Sequence, residues 1–461
     1  MSDSPGGIAD LRPLARMKEQ KAWYWYDWAN SAYVTTIATV LFAPYLTSVA
    51  EKAACGFVGD DDRKCTENLS VLGVSVSPGS RGVYVVTIAT IFSALVLPIV
   101  GAHADRSPHK RVLMGRYAWA GASFAALMFF VTGSNWQLGA LLLFGANIML
   151  GASLVVYDAI LCEIAVVNER DRVSSRGWAM GYLGGGLLLA VNLAIVTLHD
   201  SIGLSTGTAV RVSMLSAAVW WAGFTIIPYL GIKDRPAVGK VPESGNLVRQ
   251  SFGQLATTLK DLKNYPVTLT FLLAYLFYND GIQTVIASSS VYGEKELGFE
   301  TSVLIATILL VQFVAFFGAL LFGRLAERHG SRSIILAGLV IWMVIVSVGY
   351  FLPENNIGLF LALAVGIGLV LGGTQALSRS FFSLLIPRGK EAEFFSLYQA
   401  CERGTSWLGT LVFGVVHQLT DSYRPAIFAL IMFFVVGGLL LWKVDPRRGI
   451  EEAGNAQPTV V

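Results

Sequence analysis

The chain is short of charge. Asp, Glu, Lys and Arg make up 14% of its 461 residues, against roughly 25% in a soluble domain. That deficit excludes an ordinary water-facing fold. Instead 54% of the residues are hydrophobic, and the mean hydropathy is +0.59. Apolar runs of about 20 residues recur along the whole length, each long enough to cross a hydrocarbon core about 30 Å thick. They are too long, and alternate too little, to be strands of an outer-membrane barrel. The expectation is an all-α membrane protein.

Other shortages narrow the function. The five histidines, His103, His109, His199, His329 and His417, are scattered, and there is no HExxH pair or Cys/His set to bind a metal. No G-x-x-x-x-G-K-[ST] loop is present, so ATP hydrolysis is not supported. The sequence therefore calls for no metal and no cofactor. Lys and Arg sit in loops between apolar runs rather than on one soluble face, which argues against nucleic acid as a partner. Residues 1–21 are polar and lack the apolar core of a cleavable leader, so the first span is expected to direct insertion. Of four cysteines, Cys162 and Cys401 fall in apolar runs and read as small hydrophobes. Cys55 and Cys65 share a polar loop. They are a candidate disulfide if that loop meets an oxidising compartment, a pairing the sequence leaves open.

What is present is a series of twelve apolar spans, near 23–48, 83–103, 112–133, 136–160, 177–199, 209–231, 267–291, 301–323, 333–352, 357–385, 393–418 and 423–443. They divide into a tail (1–22), a six-helix half (23–232), a polar linker (233–265) expected to carry a short surface helix at SFGQLATTLKDLK, a second six-helix half (266–445) and a second tail (446–461). Residues 1–20 and 446–461 read as mobile. With the N-terminus placed inside, the inner segments hold 26 Lys and Arg and the outer loops 7, and Arg403 is left inside a span. Basic residues favour the cytoplasmic side, so both termini are expected there.

The halves repeat. GAHADRSPHKR (101–111) follows the second span and GRLAERHGSR (323–332) the eighth, each starting G-x-x-x-(D/E)-R, at an offset of 222 residues. WANSAYVTTIA and YNDGIQTVIAS align the first and seventh spans and set Asn30 opposite Asp280. Parallel repeats of this kind are common in secondary transporters, which bind solute near the midplane between the halves.

The G-x-x-x-D-R-x-x-x-K-R loop resembles the signature loop of the major facilitator superfamily. Within it, YDWANSAY (26–33), RVSSRGWAMGYLGGG (172–186), FYNDGIQT (277–284), GGTQALSRSFFSLLIP (372–387) and EAEFFSLY (391–398) resemble the vacuole-effluxer-like branch, whose eukaryotic members are autophagy-related vacuolar amino-acid exporters. The resemblance implies twelve transmembrane helices in two six-helix pseudo-repeats. It also implies a carrier for small polar solutes, amino acids first. It makes the loop acids latches, Asp105 with Arg106 and Glu327 with Arg328, each pairing with arginine and facing a helix N-terminus, where negative charge is favoured. The chain departs from the branch at QACERGTSWLGT (399–410), where Glu402–Arg403 stand in place of a lone lysine and a Gly-Pro.

A charge at the bilayer centre costs about 2.5–3.5 kcal/mol on insertion scales, so ionisable residues within spans are functional candidates. Asp280 lies roughly 3 Å from the middle of the seventh span, with Gln283 and Thr284 on its face. It is read as a substrate or proton site, the alternative being a structural partner for an arginine. Arg403, beside Glu402, is placed opposite Asp280, where a solute carboxylate could compete for it. Asp27 lies roughly 12 Å from the midplane toward the cytoplasm and is a gate candidate, with Trp23, Tyr24, Trp25, Tyr26 and Trp28 as interfacial anchors. Asn30 and Tyr33, deeper in the span, are candidates to line the site. Asp158 is a gate or relay candidate, and Glu163 belongs to an inner cluster with Arg170, Arg172 or Arg176. Gln375, after Gly372–Gly373, is a candidate solute contact. The run 181–186 reads as close helix packing.

The sequence thus points to a monomeric, proton-coupled secondary transporter of a small solute such as an amino acid, in a bacterial cytoplasmic membrane or, alternatively, a vacuolar one. A transport-inactive solute sensor and a membrane-embedded lipid-modifying enzyme remain as rival classes.

Overall fold

The computed structural model describes residues 13–57, 65, 69–71, 74–76, 81–236, 260–404 and 406–461. Linker residues 237–259, with most of the expected surface helix, lie outside them, as does the start of the first tail. The first helix begins at Pro13, ten residues before the expected span. It comprises α1 (Pro13–Ala32), a π-helical stretch (Tyr33–Leu41) and α2 (Phe42–Cys55). The π stretch YVTTIATVL is dense in β-branched residues, which crowd an α-helical turn. Its wider turn lets the Thr39 hydroxyl donate to the Val34 carbonyl at 2.8 Å, and such turns collect at functional sites.

A small antiparallel hairpin, β1 (Leu69–Val71) with β2 (Val74–Val76), follows in the first loop. The remaining helices of the first half are α3 (Arg81–Arg106), α4 (Lys110–Leu127), α5 (Trp136–Ile164), α6 (Arg170–Thr197) and α7 (Thr206–Gly231). The second half holds α8 (Pro266–Lys295), α9 (Thr301–His329), α10 (Ser331–Tyr350) and α11 (Ile357–Leu384). Its eleventh span comprises α12 (Glu391–Gly404) and α13 (Ser406–Thr420), and its twelfth is broken into α14 (Tyr423–Ala429) and α15 (Ile431–Lys443). A last helix, α16 (Pro446–Glu452), lies beyond the spans. Among the described residues, nine helical segments are long and apolar enough to cross a membrane by themselves. The other three spans, α3, α8 and α12–α13, complete the twelve-helix bundle.

Within the first half α1 packs on α6 and α7, and α4 on α5 and α7. Within the second, α9 packs on α11 and α8 on α15. The halves meet through α3 with α12 and α6 with α9, equivalent pairs under the sequence repeat. The repeated glycines explain why. A Cβ on Gly101 would lie 2.5 Å from the Ala392 carbonyl oxygen on α12, and one on Gly323 would lie 2.6 Å from the Ser175 side chain on α6. Each repeat glycine is where a helix of one half crosses the other half with no room for a side chain. The 181–186 run packs closely against the first helix, α1 and its π stretch: a Cβ on Gly184 would meet Trp28, and one on Gly185 the Thr35 hydroxyl.

Two expectations are corrected. Trp23 and Tyr26 are not interfacial anchors: both are fully buried, as Tyr24 nearly is. Trp23 stacks on Tyr157 at 4.2 Å, Trp25 on Phe224 and Trp28 on Trp220, so these rings bind α1 to α5 and α7. Nor is 446–461 a mobile tail. Gly449 and Ile450 are buried, and Asn455 Nδ2 donates to the carbonyls of Leu384 and Ile386 at 2.9 and 2.7 Å. Its small and amide residues find open backbone carbonyls at the end of α11, which composition alone does not reveal.

Candidate functional site

The densest polar cluster centres on a residue that sequence reasoning missed. Arg379 lies inside α11 and is almost completely buried. Its guanidinium pairs with Asp27 on α1 at 3.0 Å and Asp158 on α5 at 3.3 Å, and donates to the Ser174 hydroxyl and carbonyl on α6 at 2.9 and 3.1 Å. It lies 4.8 Å from the Trp23 ring centroid and 5.4 Å from those of Tyr157 and Trp178. Arginine suits this position because it stacks on aromatic faces and keeps its charge when buried. A Cβ on Gly177 would lie 2.5 Å from Asp27 Oδ2, so α6 needs glycine there. Arg379 is one of the 26 basic residues counted to the inner segments. Its position inside the tenth span, amid Ser378, Ser380 and Ser383, was the available signal.

A hydrogen-bond chain runs from this cluster into the second half. Asp158 Oδ2 accepts from Gln399 Nε2 at 2.8 Å, and Gln399 Oε1 accepts from Arg403 Nε at 3.2 Å. Gln375 Nε2 donates to Asn279 Oδ1 at 2.8 Å, and Asn279 Nδ2 donates to the Glu402 carbonyl at 3.2 Å. The Tyr275 hydroxyl reaches Gln375 Oε1 at 3.4 Å. Glu402 and Arg403 are only partly buried. Glu402 lies within electrostatic reach of Arg379 and beside the Tyr275 hydroxyl, and Arg403 is within reach of Tyr26 and Tyr33. Tyr33 donates to Asn147 Oδ1 at 3.1 Å. Both halves thus contribute polar groups to one network, at which Glu402 and Arg403 keep partial exposure.

The expected residues are therefore divided. Arg403, Glu402, Gln375, Tyr33, Asp27 and Asp158 lie in or beside this network. Asn30 turns back on its own helix and donates to the Tyr26 carbonyl at 2.6 Å. Asp280 is not opposite Arg403: its Oδ2 accepts from the Gly409 N–H on α13 at 2.8 Å. Its other oxygen and the Thr284 hydroxyl are buried without a partner among the described residues. The neighbouring Asn279 faces the network instead, because one step along a helix rotates a side chain by about 100°. Gln283 is partly buried beside Asp280 on α8.

At the end of the bundle where Pro13 and Val461 lie, Asp105 fastens the halves together. Its carboxylate accepts the N–H groups of Ala392 and Glu393, in the first turn of α12, at 2.8 and 2.9 Å. Lys110 lies 3.5 Å from Asp105 and 2.7 Å from Glu163, so Glu163 pairs with that lysine rather than with Arg170, Arg172 or Arg176. Burial pushes the Asp105 carboxyl up to about 7, against the pull of Lys110 and both backbone donors. The second latch differs from expectation. Glu327 and Arg328 are exposed. The acid at the matching crossing is Asp171, in the first turn of α6, which accepts from Ser331 at 2.7 Å and Ser380 at 2.5 Å. A carboxylate already placed at that helix start leaves Glu327 facing a like charge. The Cys55 and Cys65 sulfurs are bonded, their Cα atoms 5.9 Å apart. No three or more His, Cys, Asp or Glu side chains group as a metal site among the described residues.

The comparisons agree with this architecture. The model of the family described as "Vacuole effluxer Atg22 like" matches residues 15–166 and 162–454. The chain belongs to that family. It is 32% identical to the uncharacterized MFS-type transporter YxiO of Bacillus subtilis, over 92% of this chain and 94% of that one. It is 25% identical to autophagy-related protein 22 of Yarrowia lipolytica, over 84% and 79% of the two chains. Solved structures share the fold at low identity. The proton:xylose symporter XylE superposes with a TM-score of 0.68 at 13% identity, over 96% of this chain and 99% of that one. The transporter FucP in its outward conformation gives 0.64 at 12%, over 94% and 99%. This member of the vacuole-effluxer family is thus a multi-pass membrane transporter of the major facilitator fold, and not an enzyme.

Proposed function

We propose that the chain carries small zwitterionic solutes, amino acids first, by alternating access coupled to protons. The observation that carries this reading is the inter-half polar network, in which the partly exposed Glu402 and Arg403 adjoin polar groups of both halves. A solute with a carboxylate and an ammonium meets an opposite charge for each, while Tyr33, Gln375 and Tyr275 supply uncharged hydrogen-bonding groups. Arg379 with Asp27 and Asp158 forms the inner gate. Asp280, whose second oxygen is buried without a partner among the described residues, is the residue proposed to take up and release the coupling proton. In this scheme the end carrying Pro13 and Val461 faces the cytoplasm, supported by the 26-to-7 distribution of Lys and Arg and by the Cys55–Cys65 bond in the first loop of the opposite end. The proposed location is a bacterial cytoplasmic membrane.

Labelled amino acids offered to proteoliposomes test the scheme. The expected result is counterflow of at least one amino acid, faster net movement under an imposed pH gradient, and loss of gradient-driven movement with retained counterflow in Asp280→Asn. Absence of counterflow for every amino acid by a monodisperse protein would remove the substrate class. Gradient-driven uptake at full rate by Asp280→Asn would remove its coupling role.

A further inference from the structure

We propose that residues 446–461 form a strap that holds the tail-side face shut and must release before that face opens. The segment is built into the closing surface at several points. Asp445 caps α16 by accepting from the N–H groups of Arg447 and Arg448. A Cβ on Gly449 would lie 2.7 Å from both Leu385 and Val267, and Glu452 Oε2 accepts the Val267 N–H at 3.4 Å. The helix is thereby seated on the ends of α8 and α11, all in the second half. Gly454, with φ of +69°, then turns the chain out of the helix. Asn455 ties the turn to the carbonyls of Leu384 and Ile386.

From there the chain crosses to the other half. The N–H and hydroxyl of Thr459 both donate to Asn168 Oδ1, at 2.8 and 2.9 Å, in the connection between α5 and α6. Val461 ends against Gly330, where a Cβ would lie 2.6 Å from its carbonyl carbon. Gly330 joins α9 to α10 and precedes Ser331, which already bonds Asp171 of the first half. The strap therefore bridges second half to first and returns to the second beside an inter-half contact. Rigid-body separation of the halves at this face cannot leave both the Asn455 and the Thr459 bonds intact. Both Thr459 donors share one acceptor, so a single side chain, Asn168, controls the crossing. The bonds at Thr459 are solvent-exposed, where water competes for them and each is individually weak. That suits a fastening that opens in every cycle better than a permanent weld.

Three variants test the strap. Spin labels are attached at exposed Arg172→Cys on α6 and Arg328→Cys on α9, with the free cysteines Cys162 and Cys401 replaced by alanine. Inter-label distances are then measured in nanodiscs. Asn168→Ala is expected to raise the long-distance, tail-side-open population on the order of five- to thirtyfold, as loss of one or two weak bonds dictates. Ending the chain at Ala453 is expected to give the same shift or a larger one. Separately, Asn168→Cys with Thr459→Cys is expected to stop transport on oxidation and recover it on reduction. An unchanged distance distribution in Asn168→Ala, or full transport by the oxidised double-cysteine protein, overturns the proposal. The distance measurement requires no solute, so its outcome is independent of which substrate is carried.

Discussion

Arg379 on α11 and Asp27 on α1 form an ion pair 3.0 Å long that joins the two halves of the transporter through its interior. The pair is shared with Asp158, so one guanidinium serves two carboxylates from the other half. Removing one partner of such a buried set leaves an uncompensated charge and costs about 3–5 kcal/mol. Arg379→Met should therefore destabilise the closed form strongly. Adding Asp27→Asn and Asp158→Asn should recover much of the loss, because no orphan charge remains. Thermal unfolding of the single and combined variants measures this. Additive losses would show that the three residues do not act together.

The repeat glycines make a steric prediction. Gly101→Val and Gly323→Val should each prevent full closure of the tail-side face, since the new side chains would overlap Ala392 and Ser175. Transport should fall at least tenfold while the folded yield stays measurable. The two positions should behave alike, being equivalent in the repeat. A protease or alkylating reagent applied from the tail side should find those variants more accessible than the parent.

Asp105 gives a signed pH dependence. Its carboxyl is pushed up to about 7 from the usual 3.8, so the folded chain binds a proton more tightly there than the unfolded chain does. Its contribution to stability is fully present below about pH 4 and is lost as pH rises towards 7, at up to about 1.4 kcal/mol per pH unit. Above that it is flat. Asp105→Asn should remove this component, so the difference in melting temperature between parent and variant should change between pH 5 and 7 and stay constant from 7.5 to 9. A constant difference throughout would assign Asp105 an ordinary carboxylate titration.

Arg403→Gln should weaken recognition of any solute bearing a carboxylate. Loss of a charge-assisted hydrogen bond costs about 1.5–3 kcal/mol, so the half-saturation concentration should rise roughly ten- to a hundredfold. Glu402→Gln should act instead on the ammonium end, and esters or decarboxylated analogues should be insensitive to the Arg403 change. Competition measurements with such analogues separate the two roles.

The Cys55–Cys65 bond closes a short loop, with a sequence separation of 10, for which chain entropy gives a stabilisation of about 2–3 kcal/mol. Cys55→Ala and mild reduction should lower the melting temperature by the same amount, with no further change when both are applied.

The class of fold was legible because lipid imposes it locally. Apolar runs of span length, few charges and basic connecting loops are properties of each segment separately, and the G-x-x-x-(D/E)-R loops declared the duplication. The glycines at 101 and 323 could be paired before their contacts were known. The placement of Asp105 beside a helix start could be read for the same reason, since a short motif carries both the acid and its position. Its counterpart could not: Glu327 matched the motif, but Asp171 had already filled the matching crossing.

What only the tertiary structure decided was which polar side chains face one another. Asn279 and Asp280 are adjacent in sequence and rotated by a helical step, so depth in the membrane favoured the acid while packing turned the amide into the polar network. Arg379 looked like one more inner arginine until α1 and α5 brought two carboxylates to it across more than two hundred residues. Hydropathy sets how deep a residue sits because lipid acts on each helix alone. Azimuth and partner are set by twelve helices packing at once, and that information belongs to no single segment.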